Sequence, residues 1–267
     1  MNYRKKHLSP KLKRLKPKKL FFKKPVFLTI LAGLAISSGI YAFLFSNILV
    51  VQKINITGNQ KTAAAEIQTA AWPETARQLI SFGPFNVSTK NIFLVNRGNI
   101  QAKVLESFPI IASVKVQKKL HEINLQISER QANAIFCVSA GECFHIDGTG
   151  VIFEPASYFA GLPTITSDTA GNRNLGTQVV KSAYMVLIAA IAQNLRNNFQ
   201  IKVETVRVDN PMVLGTNEGW SLYVDPSADG SAQIAKLNAL LKEKLPKDSR
   251  DNLEYIYLQY QDRAYYK

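Results

Sequence analysis

From Val26 to Val51 the chain reads "VFLTILAGLAISSGIYAFLFSNILVV", without one charged residue. The 20 residues Val26–Phe45 rise roughly 30 Å as an α-helix, the thickness of a bilayer's hydrocarbon layer. The run is longer than the apolar stretch of a signal peptide and no A-x-A site closes it, so a retained anchor is expected. Residues 1–24 hold eleven Lys/Arg and no Asp or Glu. Such a tail cannot bury a core. It reads as a topology signal that keeps the amino end cytoplasmic and puts residues 52–267 outside, with the lipid bilayer as its neighbour. The other 243 residues hold 22 Lys/Arg and 19 Asp/Glu, a balance of +3. The net charge of +14 therefore belongs to the tail, and no nucleic-acid partner is expected. Gly33/Ser37 and Ala35/Gly39 form small-xxx-small pairs that let a second helix approach.

Beyond the apolar run the fold class is α+β. Val51–Thr57 is a strand, Gly58-Asn59 its turn, and Thr62 the N-cap of a helix over Ala63–Ala71. Ile80–Phe93, with Gly83-Pro84, reads as a loop. Asn99–Phe108 is a short amphipathic helix ended by Pro109. Val114 and Val116, then Ile123, Leu125 and Ile127, alternate with polar residues and give two strands around the turn "KKLHE". A second unit follows. Ala134–Val138 and Cys143–Ile146 form a hairpin, and "DGTG" turns the chain into "VIFEPA". "GLPTITSD" is extended, and Gln178–Asn197 is a helix. "IKVETVRVDN" and "WSLYVD" are strands, and Ser231–Leu245 is a helix stopped by Pro246. "LEYIYLQYQDRAYY" reads as one long aromatic-rich strand.

Cys137 and Cys143 face each other across the expected hairpin. Outside the cytoplasm a disulfide can persist there. A zinc set of Cys137, Cys143, His145 and Asp147, or two unbridged thiols, are the alternatives. The chain has three histidines. His145 and Asp147, at i and i+2, are the best candidate pair for acid–base work. No G-x-S-x-G, H-E-x-x-H or P-loop pattern is present, so neither an enzyme nor a cofactor is expected. Glu129-Arg130 reads as a strand-end ion pair or polar contact.

Several marks occur in order along the chain. Ile54-Asn55-Ile56-Thr57-Gly58-Asn59 opens the first unit. The block "FPIIASVKVQKKLHEINLQISER" carries Pro109, Val114, Val116, Leu125, Glu129 and Arg130. Asp147 and Gly150 fit D-x-x-G, Leu162-Pro163 follows, and "YLQYQDRAYYK" comes last. With the basic tail and the single anchor, this order resembles the FtsQ/DivIB family of bacterial cell-division proteins over essentially the whole chain. Three places depart from the family pattern: His121 where Pro is frequent, "ERQANA" for a Glu-Arg-Pro run, and "YLQY" for Asp-Leu-Arg-Tyr.

The resemblance implies a cytoplasmic tail over residues 1–25, a transmembrane helix over 26–48, a POTRA domain (β-α-α-β-β) over 49–130 and a β domain over 131–267 ending in an edge strand. It also implies a non-enzymatic scaffold at the division septum, with FtsB/FtsL-like single-pass coiled-coil proteins and other divisome membrane proteins as partners. Tyr255–Tyr266 would receive a partner strand. Tyr260, Gln259 and Asp262 are the contact residues that transfer by motif. The competing readings are a membrane-anchored envelope enzyme and a POTRA-bearing transport or membrane-assembly component; the latter lacks the expected barrel strands in residues 131–267.

Overall fold

The computed structural model describes residues 24–82, 85–138, 141–156, 161–166, 174–260 and 262–267. Residues 1–23 of the basic tail, the Gly83-Pro84 pair and Ser139-Ala140 of the hairpin turn lie outside the described residues.

The apolar run forms α1 (Lys24–Phe45). Its segment Pro25–Phe45 has a mean hydropathy of 2.0 and is long and apolar enough to cross a membrane. The helix ends three residues before the expected boundary at 48, because Ser46 accepts a hydrogen bond from the Ile48 amide and starts a 3-10 turn over Asn47–Leu49. The last carbonyls of an α-helix have no partner within it. Here the Thr89 hydroxyl donates to Leu44 O at 2.6 Å and Asn91 Nδ2 donates to Phe43 O. Leu49 O accepts from the Ile92 amide at 2.8 Å. The helix end is thus bonded directly to residues 89–92.

The first unit contains β1 (Lys53–Thr57), α2 (Ala64–Ala71), β2 (Arg77–Phe82), β3 (Phe85–Thr89), α3 (Arg97–Ser107), β4 (Ile111–Lys119) and β5 (Glu122–Glu129). Its three-stranded sheet has the order β1-β5-β4, with β1 parallel and β4 antiparallel to β5. Ile54, Ile67, Ile100, Val104, Val114, Ile123, Leu125 and Ile127 meet in one buried cluster between this sheet and the two helices. Strand alternation and helical spacing put these apolar positions on the inner faces.

Two expectations are corrected here. The segment read as a loop over Ile80–Phe93 contains the antiparallel pair β2–β3. Gly83-Pro84 reads as loop punctuation, and that masked the β-rich residues on either side. The N-cap of α2 is Ala63, with no side-chain bond, and not Thr62. Glu129 on β5 instead holds the loop leading into the helix: its carboxylate accepts from the Lys61 amide at 2.9 Å and the Thr62 amide at 2.9 Å.

The second unit contains β6 (Ala134–Cys137), β7 (Cys143–Ile146), β8 (Ile152–Pro155), β9 (Thr164–Thr166), α4 (Ser182–Phe199), β10 (Val203–Arg207), β11 (Met212–Thr216), β12 (Ser221–Val224), α5 (Gly230–Glu243), β13 (Tyr255–Tyr257) and β14 (Tyr265–Tyr266). They form a nine-stranded sheet in the order β14-β13-β12-β11-β10-β9-β6-β7-β8. Its inner face packs Phe136, Ile165, Val206, Leu214, Leu222 and Ile256 with Ile191 and Leu195 of α4 and Leu237 and Leu241 of α5. The Asn194 and Asn238 side chains exchange hydrogen bonds of 2.8 and 3.2 Å between the two helices.

Sequence periodicity misplaces the start of α4 by four residues, at Gln178. That residue bridges to Val151, and its amide group donates to Thr149 O at 2.7 Å and to Ser182 Oγ at 2.9 Å. The larger correction concerns the long aromatic strand. The chain pairs as β13 for three residues, leaves the sheet, and returns antiparallel as β14 (Ile256↔Tyr266, Tyr257↔Tyr265).

The D-x-x-G turn requires its glycine. Gly150 has φ +82°, and a Cβ there would sit 2.0 Å from Val180 O. Gly219 has φ +91° but open space around it. Gly150→Ala is expected to lower unfolding stability by at least about 2 kcal/mol, beyond the roughly 1 kcal/mol of a left-handed non-glycine residue. Gly219→Ala should cost only the latter. Denaturant titration of both variants distinguishes clash from conformational strain.

Candidate partner-binding surface

β14 and β8 are the outer strands of the large sheet. The outer side of β8 is covered, because Ile152 N donates to Thr177 O at 3.0 Å and Gly176 N to Ile152 O at 2.7 Å. Among the described residues, β14 has no strand beyond it. Beyond its pairing with β13, the residue after it is tied back by Lys267 N to Tyr255 O at 3.3 Å, Glu254 N to Lys267 O at 2.6 Å and the Lys267–Glu254 ion pair at 3.1 Å.

Three tyrosines stand out at this edge. Tyr260, Tyr265 and Tyr266 are 46, 47 and 48% exposed. Tyr260 meets Tyr265 edge to face, with centroids 5.3 Å apart. The backbone at Tyr260 is not strand. Lys236 of α5 donates to the carbonyls of Leu258, at 2.9 Å, and Tyr260. This ammonium clamp holds the chain where it leaves the sheet. α5 is fixed in turn by Asp229, which accepts from the Ser231 amide at 2.9 Å, and by Gln233, which exchanges hydrogen bonds with the Asp225 backbone at 2.9 and 3.0 Å. Gln259 is half-buried and Asp262 exposed. All three residues named from sequence therefore lie in the connection between β13 and β14, beside the sheet edge and not within a strand.

A second aromatic group was missed in the sequence. Tyr223 on β12 packs against Tyr257 on β13 at 4.4 Å, and Tyr255 against Tyr257 at 4.7 Å. Partial burial, followed by the neighbouring phenols of Tyr223, Tyr255 and Tyr260, raises the Tyr257 pKa. The i, i+2 spacing of Tyr255 and Tyr257 was the available signal, since it places both on one sheet face. Only the parallel pairing Tyr223↔Tyr257 brings the third ring beside them.

The candidate acid–base pair is not brought together. His145 is buried, and its Nδ1 lies 3.0 Å from Glu154 Oε1. Asp147 instead forms an ion pair with Arg130 and accepts from the Thr149 hydroxyl at 2.7 Å and amide at 2.9 Å and from the Val151 amide at 3.1 Å. Burial alone would raise the Asp147 pKa; the bonds from Thr149, Val151 and Arg130 outweigh it and hold the carboxyl below its ordinary value. Glu154 is held low in the same way, burial being outweighed by Lys61, at 2.8 Å, and His145.

These groups join the two units. Arg130 follows β5, its amide donates to Ile110 O at 2.7 Å, its Nε donates to Pro109 O at 3.0 Å, and its guanidinium crosses to Asp147. Lys61 of the first unit reaches Glu154 on β8. The expectation for Glu129-Arg130 as a structural ion pair or strand-end polar contacts is resolved into two separate roles: Glu129 holds the loop at residues 61–62, and Arg130 joins the units.

Cys137 and Cys143 sit opposite each other in the β6–β7 register, with Cα atoms 4.1 Å apart, and are bonded as a disulfide. They are not thiolate ligands. Among the described residues no group of three or more His, Cys, Asp or Glu could hold a metal ion. A groove of about 760 Å³ runs between α4 and residues 161–163; among the described residues, Arg196 is the one charged residue in its lining.

No protein-family model matches this sequence, and no curated protein matches it at a significant level.

Two outcomes follow from these contacts. Asp147→Asn is expected to lower stability at neutral pH by about 1–2 kcal/mol, because Arg130 stays half-buried without its counter-charge. A carboxyl with a depressed folded-state pKa stabilises fully above the ordinary carboxylate range and loses that contribution as pH falls through the folded value. The wild-type contribution should thus persist until below about pH 4 and be absent from the variant at every pH, as read from chemical denaturation across pH. Reducing the Cys137–Cys143 bridge, or replacing both cysteines by Ser, should cost about 2 kcal/mol, the loop-closure entropy of so short a segment. Thermal melts with and without reductant measure it.

Proposed function

We propose that this chain is a membrane-anchored, non-enzymatic scaffold of the FtsQ/DivIB kind, which gathers other septal membrane proteins during bacterial cell division. The observation that carries this reading is a β-α-α-β-β unit, with sheet order β1-β5-β4, bonded directly to the end of an apolar helix of membrane-spanning length. That order is the one expected of a POTRA domain placed just outside an anchor; the β2–β3 hairpin is an addition between its helices. The basic tail favours a cytoplasmic amino end. The Cys137–Cys143 disulfide favours an oxidising compartment for the rest.

The partners fitting this reading are FtsB/FtsL-like single-pass coiled-coil proteins. Their segment would add to the sheet edge at β14, using its unpaired backbone groups and the rings of Tyr260, Tyr265 and Tyr266. Tyrosine rings bury large area while the hydroxyl keeps a polar partner. His145 and Asp147 are each engaged by other side chains, which favours a scaffold over an envelope enzyme.

Photo-crosslinking from Tyr260 and Tyr265 in dividing cells tests the proposal. Capture of a small single-pass coiled-coil protein at both positions is expected. Capture of glycan, of an outer-membrane barrel, or of nothing by a folded and abundant protein would overturn it.

A further inference from the structure

The face of the first unit beside the end of α1 is apolar and basic. Phe93, 63% exposed, stacks on Phe43 of α1 with ring centroids 5.9 Å apart. Phe43 lies in the last turn of the helix, so the Phe93 ring sits at the level where the apolar run ends. Leu120, 58% exposed, is at the tip of the β4–β5 hairpin. That tip is tied to the chain just past the helix: His121 O accepts from the Gln52 amide at 2.8 Å and from the Lys53 amide at 3.3 Å. Ile48, 68% exposed, lies in the 3-10 turn between them. Phe93 and Leu120 share a recess of about 310 Å³ with Ile92, Arg97, Lys118 and Lys119.

Among the described residues, the charged side chains lining this recess are of one sign. Among the described residues, Arg97, Lys118 and Lys119 have no carboxylate at ion-pair distance. Glu122 stands opposite Lys119 in the β4–β5 register, but its carboxylate accepts from Asn55 at 3.0 Å. Burial, and then the nearby Arg97, lower the Lys118 pKa, as expected for cations gathered without a counter-charge. Exposed aromatic and aliphatic side chains ringed by cations suit the bilayer interface, where apolar groups enter the headgroup boundary and cations meet lipid phosphates.

We propose that this face is a second membrane contact, in which Phe93 and Leu120 enter the interfacial layer while Arg97, Lys118 and Lys119 bind the phosphates of anionic lipids. The inference rests on the reading of α1 as membrane-spanning. It fixes the first unit against the bilayer.

The test uses the full chain in nanodiscs of phosphatidylcholine, with or without phosphatidylglycerol. A fluorophore that reports polarity is placed at Leu120→Cys, at Val186→Cys on the exposed face of α4, and at Leu34→Cys within α1; the native cysteines stay bonded. Nitroxide lipids serve as quenchers. The Leu120 label should emit to the blue and be quenched, more so with phosphatidylglycerol, and the Val186 label should not. Lys118→Gln/Lys119→Gln should weaken docking about fivefold for each charge removed. A Leu120 label quenched no more than the Val186 label, with the Leu34 label quenched, overturns the contact alone. An unquenched Leu34 label overturns the spanning helix and the contact together. A blue shift at Leu120 without lipid quenching reports a protein neighbour and overturns the lipid assignment. Quenching that ignores both phosphatidylglycerol and the glutamines overturns the role given to the cations.

Discussion

Two hydrophobic cores share this molecule, and two cations, Arg130 and Lys61, cross between the units, Arg130 being the less exposed. Arg130 ends the first sheet's central strand, and its guanidinium crosses to Asp147, the residue that also organises the turn at Gly150. A half-buried guanidinium needs its hydrogen bonds and its counter-charge together, because either one alone leaves a partly desolvated charge. Pro109 O, accepting from Nε, provides the first and Asp147 the second, while Ile110 O holds the Arg130 backbone amide. The turn, the bridge from Val151 to Gln178 and the start of α4 follow from this arrangement. An ion pair that holds a connection in register is better understood as a specifier of geometry than as a large source of stability.

The same logic of satisfied backbone groups governs the two ends of the folded part. At the end of α1, Thr89 and Asn91 fill the carbonyls that the helix leaves open. At the far edge of the large sheet, β14 only partly covers β13, and the two-residue strand carries exposed rings. One end is closed by side-chain donors, and the other keeps backbone groups available. Natural sheets with long unprotected edges risk indiscriminate pairing; a short edge strand limits that risk while leaving a small template.

Much of this architecture was legible in the sequence, and the exceptions have physical causes. The apolar run, the alternation in Ile123–Ile127 and the four-residue steps of α4 are strong periodic signals, and each marks an observed element. β11 was not read at all: "MVLGT" lies between turn residues and is too short to show a period. The break after Tyr257 was missed because the tyrosines on both sides favour strand, although "QDRA" between them does not. What interrupts it is Lys236, more than twenty residues earlier, holding two carbonyls. Local preference cannot report a tertiary clamp. Tyr260, Gln259 and Asp262 were named through resemblance, and their placement in the connection between β13 and β14 is a tertiary feature.

The position of β9 orders events in time. This three-residue strand lies in the middle of the large sheet, parallel to β6 on one side and to β10 on the other. As the chain emerges from its amino end, β6, β7 and β8 can zip together at once, since short turns connect them. The centre of the sheet must wait for residues past 203, and β13 must find β12 across the whole of α5. Such distant pairings make assembly slow and leave β9 exposed on one side in the interval. The disulfide across β6 and β7 locks the early hairpin in register during that wait, and so gives β9 a fixed strand to stay paired with before its other neighbour arrives.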